Sequence, residues 1–94
     1  MLEEIRQAVG DDFLLIADGG IEDGFDAFKV LALGADLVCI GKPLIGPYNE
    51  KGPEGVAEVI TRMTKELKAA MVRTGTKDLQ SKDPSVIIEA PWLR

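Results

Sequence analysis

Two short stretches carry the side chains and backbone shapes suited to chemistry in this 94-residue chain: Asp18-Gly19-Gly20 and Gly41-Lys42-Pro43. Adjacent glycines let a ligand approach the main chain closely. A helix that starts just after such a turn offers free N–H groups and the positive end of its dipole to an anion. Lys42 adds a cation, although taken alone it reads first as an ordinary solvated lysine. Asp18 is suited to accept a hydrogen bond from a ligand hydroxyl or from a backbone N–H of its own turn. Taken together the two stretches suit a phosphate group, and taken singly each also suits a plain tight turn.

The elements that position them follow from the apolar pattern. Leu2, Ile5 and Val9 have helical spacing and stop at Gly10, so a short helix opens the chain. Phe13 to Ala17 is a continuous apolar run, as in a strand buried on both faces, and it ends at Asp18. Asp23 is placed to cap a helix, with Asp26 three residues on, and Phe25, Phe28, Leu31 and Ala32 carry its apolar face to Gly34. Leu37 to Ile40 reads as a second buried strand. Strand, helix and strand within so short a span form a βαβ unit, and its right-handed crossover makes the strands parallel. Ligands of α/β proteins gather at the carboxyl ends of such strands, where both glycine stretches lie.

Residues 42–55 hold three prolines and three glycines, and they read as a loop. A long helix is predicted from about Glu54 to Thr74, with Val56, Val59, Ile60, Met63, Leu67, Ala70 and Met71 on one face and Gly75 as its stop. Met63 and Met71 therefore read as core, and Lys65, Glu66 and Lys68 as a solvated face. Cys39 lies among apolar neighbours and reads as inert packing. The tail from Thr76 is expected to be irregular or docked on something else, with an apolar cluster at Val86, Ile87, Ile88, Trp92 and Leu93.

Composition excludes several functions. The chain has no histidine, so it supplies no imidazole base, His-based triad or His metal site. Its single cysteine makes no internal disulfide and suits a reducing, cytoplasmic setting. Eleven Lys plus Arg against sixteen Asp plus Glu give a net charge of −5, which argues against nucleic acid or an anionic membrane as partner. No apolar run is long enough for a membrane span. Two parallel strands with unpaired edges make no stable sheet, so the pattern calls for a larger parallel α/β structure, of which this is a fragment or which other chains complete.

The string from Ile16 to Pro43, with Asp-Gly-Gly, Asp-x-x-Lys, Ala-Leu-Gly-Ala and Gly-Lys-Pro in order, resembles the FMN-dependent α-hydroxy acid oxidases and dehydrogenases, such as glycolate oxidase and lactate oxidase. The likeness continues through Gly55-Val56, Glu66-Leu67, Met71 and Thr74-Gly75. It implies an α/β fold that is a partial TIM (β/α)8 barrel, formed by the seventh and eighth βα units after the end of the sixth helix. On that reading residues 1–80 are the C-terminal part of an FMN-binding barrel, and 81–94 are an irregular tail.

The resemblance places the FMN phosphate and ribityl chain on Asp18, Gly19 and Gly20 of the first loop and on Gly41 and Lys42 of the second. It assigns no catalytic and no metal-binding residue to this chain, because the family's histidine base belongs to an earlier loop. Two positions depart from the family, which carries arginine where Glu22 and Lys42 stand. Lys42 keeps the charge without the bidentate fork. Glu22 reverses the charge: turned inward it repels a phosphate, whereas turned to solvent or bonded to Lys42 it does not.

The expected function is that of the flavin-phosphate-binding portion of an α-hydroxy acid oxidoreductase, inactive by itself. Other phosphate-binding barrels, such as inosine monophosphate dehydrogenase and type 2 isopentenyl diphosphate isomerase, share the glycine loops and form the alternative enzyme class. A homo-oligomeric interaction module without catalysis is the alternative outside enzymes.

Overall fold

A computed structural model describes residues 1–80 and 84–87 of the chain. The elements run α1 (Leu2–Val9), β1 (Ile16–Ala17), α2 (Gly24–Ala32), β2 (Leu37–Val38), α3 (Lys42–Lys51) and α4 (Pro53–Thr74), then a single 3-10 turn at Pro84–Val86. The fold is α/β. As the pattern predicts, β1 and β2 pair in parallel around α2, with Ile16 opposite Leu37 and Ala17 opposite Val38.

α2 starts where its cap predicts. The Asp23 side chain accepts the N–H of Asp26 at 2.8 Å, and Asp26 in return accepts the N–H of Glu22 at 3.1 Å. This is a capping box displaced by one residue at its return bond. Replacing Asp23 with alanine is expected to cost about 1 kcal/mol in urea unfolding, the usual worth of such a cap. α4 ends at Gly75, whose φ of 70° is the left-handed stop expected of glycine there.

The core lies between α2 and α4. One cluster joins Ile21, Ala27, Val59 and Met63, with Val30, Val38, Ile40 and Leu44 packed against it. A second joins Phe28, Ala32 and Ala70, with Phe25, Leu67 and Met71 around it. Val86 and Ile87 also pack on this second cluster, so that part of the tail docks on the chain's own helices. Ile88, Trp92 and Leu93 lie outside the described residues. The two helices meet closely because Gly24 has no side chain: a Cβ there would lie 2.6 Å from Glu66 Cβ and 2.8 Å from the Leu67 nitrogen.

Five expectations need correction. The strands are two residues each, and the helices cover only the face that carries Ala17 and Val38. Phe13, Leu14, Ile16 and Leu37 are consequently more than half exposed instead of buried. Cys39 falls just past β2 and is exposed, although its N–H still donates to the Ala17 carbonyl at 2.8 Å.

The stretch read as a loop from Lys42 to Gly55 is mostly the helix α3. Pro43 sits in its first turn, where a proline's missing N–H costs nothing, and Pro47 is carried inside it. Packing on α4 offsets that interior proline: Gly55 abuts the Pro47 carbonyl, and Lys51 Nζ pairs with Glu58 at 3.2 Å. On α4, Ile60 is exposed at the margin of the buried stripe. Glu66, expected in solvent, instead reaches back to α2.

α1 has no buried residue of its own and is held by Arg6. The Arg6 guanidinium and its Nε donate to the carbonyls of Gly34 (2.8 Å), Gly10 (2.7 Å) and Phe13 (2.7 Å), and to Asp36 Oδ2 at 2.6 Å. Asp36 Oδ2 also accepts the N–H of Leu15 at 3.0 Å, so one ion pair ties α1 to the starts of both strands. Among the described residues no helix is long and apolar enough to cross a membrane.

Candidate functional site

The loop that leaves β1 turns on two glycines with positive φ, Gly19 at 92° and Gly20 at 73°. L side chains rarely adopt that backbone shape, so the turn depends on both positions being glycine. A Cβ built at either would meet nothing within 4 Å, which leaves the backbone of the turn open to approach. The Asp18 carboxylate accepts the N–H of Gly19 at 2.8 Å, the local turn bond that was one of its two readings. Ile21, buried in the first core cluster, pins the far end of the loop.

Carboxylates occupy the start of α2. Asp23 takes the Asp26 N–H, Asp26 takes the Glu22 N–H, and Glu66 Oε1 takes the Gly24 N–H at 3.0 Å from across the helix pair. Arg62 Nε lies 3.7 Å from the same Glu66 oxygen. The donors and positive dipole end of this helix are therefore already met by acids of the chain.

The start of α3 differs. Gly41 is its N-cap, and no side chain caps it. The N–H of Leu44 turns back to the Gly41 carbonyl at 3.0 Å, and Pro43 has no N–H to offer. Lys42 at the first helical position is exposed, and among the described residues it makes no ion pair or side-chain hydrogen bond. The two loops enclose a cavity of about 300 Å³ lined by Gly20, Ile21, Glu22, Lys42 and Pro43. Gly41 lines the next hollow, with Leu44, Ile45, Tyr48, Asn49 and Val56. Asp18 and Gly19 are exposed at the end of β1 and line neither.

Of the five residues expected to touch a cofactor, then, Gly20 and Lys42 share one cavity, Gly41 lines the next hollow, and Asp18 and Gly19 are brought into neither. Two residues enter the picture that the sequence reading placed elsewhere or left open. Glu22 faces the cavity and is not bonded to Lys42. Glu66 caps α2, and its signal was available: it lies three residues after the buried Met63, on the edge of the same stripe. A small cavity with one ammonium, an uncapped helix start and bare glycine backbone is suited to a phosphate. Among the described residues no cluster of side chains could hold a metal ion.

Comparisons with known proteins give the family. The model of the FMN-dependent dehydrogenase family matches residues 1–89. The chain is 36% identical over 86 residues to an L-lactate dehydrogenase of Caulobacter sp. (strain K31), covering 92% of this chain and 23% of that protein. It is 36% identical over 88 residues to the L-lactate dehydrogenase of Caulobacter vibrioides (strain NA1000 / CB15N), with 94% and 23% covered. The match to the L-lactate dehydrogenase of Acinetobacter baylyi is 36% over 85 residues, with 90% and 22% covered. The chain thus spans less than a quarter of the length of these relatives. It belongs to the FMN-dependent dehydrogenase family, whose cofactor is FMN.

Proposed function

We propose that these residues form the C-terminal, flavin-phosphate-binding part of an FMN-dependent α-hydroxy acid oxidoreductase, built as the last two βα units of a (β/α)8 barrel. The observation that carries this reading is the cavity that Gly20 of one loop and Lys42 of the other line together. The residues present fit the group. Lys42 and the first turn of α3 would meet the phosphate charge, Gly19 and Gly20 would let it approach the backbone, and Asp18 would accept from a ribityl hydroxyl. Bound FMN supplies the acceptor for the two electrons of the hydroxy acid.

The role of the chain's own residues is to bind and orient. With no histidine among the 94 residues, an imidazole base for the substrate must come from elsewhere in the assembled enzyme. The relatives named as L-lactate dehydrogenases make lactate the first substrate to test in that assembly. One unpaired cysteine supports a cytoplasmic setting. The bared strand pair favours a second reading, in which copies associate through their apolar faces.

Titration of the chain with FMN, read by flavin fluorescence quenching with riboflavin as the phosphate-free control, separates these. Saturable quenching is expected, tighter for FMN than for riboflavin. Lys42→Ala should weaken FMN about tenfold and leave riboflavin unchanged, the size of one well-placed charge. A folded chain that binds neither flavin, and sediments as an oligomer, would favour self-association instead.

A further inference from the structure

We propose that Glu22 is a specificity-determining residue of the cavity, one that holds the preference for phosphorylated over unphosphorylated flavin below what Lys42 and the start of α3 alone would give. This rests on the phosphate-site reading above.

The argument begins with which acids around the site are already engaged. Asp23, Asp26 and Glu66 each accept a backbone N–H at or beside the start of α2, and Asp26 also lies 3.8 Å from Lys29 Nζ. Asp18 accepts the Gly19 N–H. Glu22 differs from all of them: its side chain is exposed and makes no ion pair or hydrogen bond among the described residues. It nonetheless lines the same cavity as Lys42.

Its position is also anchored. The Glu22 N–H is held by Asp26, and the preceding Ile21 is buried in the core, so the backbone keeps Glu22 beside the cavity. A phosphate that enters therefore meets one cation and one anion at the cavity's lining. The carboxylate and the phosphate would lie within one Debye length at moderate salt, so their repulsion is felt rather than screened away. A neutral ligand of the same shape feels neither charge. Glu22 thus acts on charge alone, and its effect should appear as a difference between FMN and riboflavin.

The test uses the full chain and two variants, Glu22→Gln and Glu22→Arg, with FMN and riboflavin as probes. Circular dichroism confirms that each variant is folded; both replace an exposed side chain. Glu22→Gln should tighten FMN about tenfold at low salt and leave riboflavin within twofold, and Glu22→Arg should tighten FMN further. The gain should shrink toward 1 M salt, where the Debye length falls to about 3 Å.

Equal tightening of both flavins would mean a change of shape rather than charge, and would overturn the proposal. Unchanged FMN affinity in both variants, with the Lys42 dependence intact, would overturn it while leaving the phosphate site standing. Failure of the folded chain and every variant to bind FMN would overturn the phosphate-site reading, and this inference with it.

Discussion

Gly24→Ala should lower the stability of the chain by about 3 kcal/mol, read as a shift in its urea midpoint by circular dichroism, with little change in the slope. The added methyl has nowhere to go. It would strike the Met63 carbonyl and come within 2.6 Å of Glu66 Cβ and 2.8 Å of the Leu67 nitrogen, all belonging to α4. Backbone atoms of a helix cannot rotate aside as a side-chain end can, so α2 and α4 must separate. That separation would also break the Gly24 to Glu66 bond and loosen both core clusters at once. Gly46→Ala is the control: a Cβ there meets nothing within 4 Å, so its effect should stay within about 1 kcal/mol.

Arg6→Ala is expected to cost a similar amount, about 3 kcal/mol by the same measurement. Its side chain is only 11% exposed and its partner Asp36 is 32% exposed, so the pair is partly sheltered from solvent. Removal leaves the carbonyls of Gly10, Phe13 and Gly34 without this donor, and it takes away the cation facing Asp36. Hydrogen bonds to charged groups are worth more than neutral ones, and loss of one member of a sheltered pair leaves a charge to be resolvated. Arg6→Lys should recover less than half, because an ammonium cannot reach four acceptors from one planar fork. Recovery of full stability by lysine would show that charge alone, rather than the fork, holds α1.

Much of this architecture was legible in the sequence because it is encoded locally. The Asp23 cap lies three residues from the N–H it accepts. Gly75 stops α4 at the residue where the apolar stripe ends. The parallel pairing follows from two apolar runs either side of one helix. Gly20 and Lys42 could be named because glycine and a cation after a strand have a local meaning.

What stayed hidden depends on distant neighbours. α3 contains Gly46 and Pro47, which argue against a helix until α4 packs beside them. Arg6 and Asp36 are thirty residues apart, and nothing in either neighbourhood marks the other as partner. The strands read as fully buried because their residues suit burial, yet this chain covers only one face of them. Glu22 offered three orientations, and only the path of the loop sets it at the cavity that Lys42 also lines.

The brevity of the strand pair has a consequence for what holds the two loops in place. Joining Ile16 to Leu37 closes a loop of about twenty residues, at an entropic cost on the order of 3 kcal/mol. At the margins of the ladder the N–H groups of Asp36 and Leu37 donate to the Leu15 carbonyl and that of Cys39 to the Ala17 carbonyl, each bond worth about 1 kcal/mol net. So short a ladder has little to set against that cost, and its hold comes from the helices: Val38 packs on the cluster that α2 and α4 share. The glycine turns that follow each strand inherit this dependence, so whatever loosens α2 from α4 also loosens the two loops at the cavity.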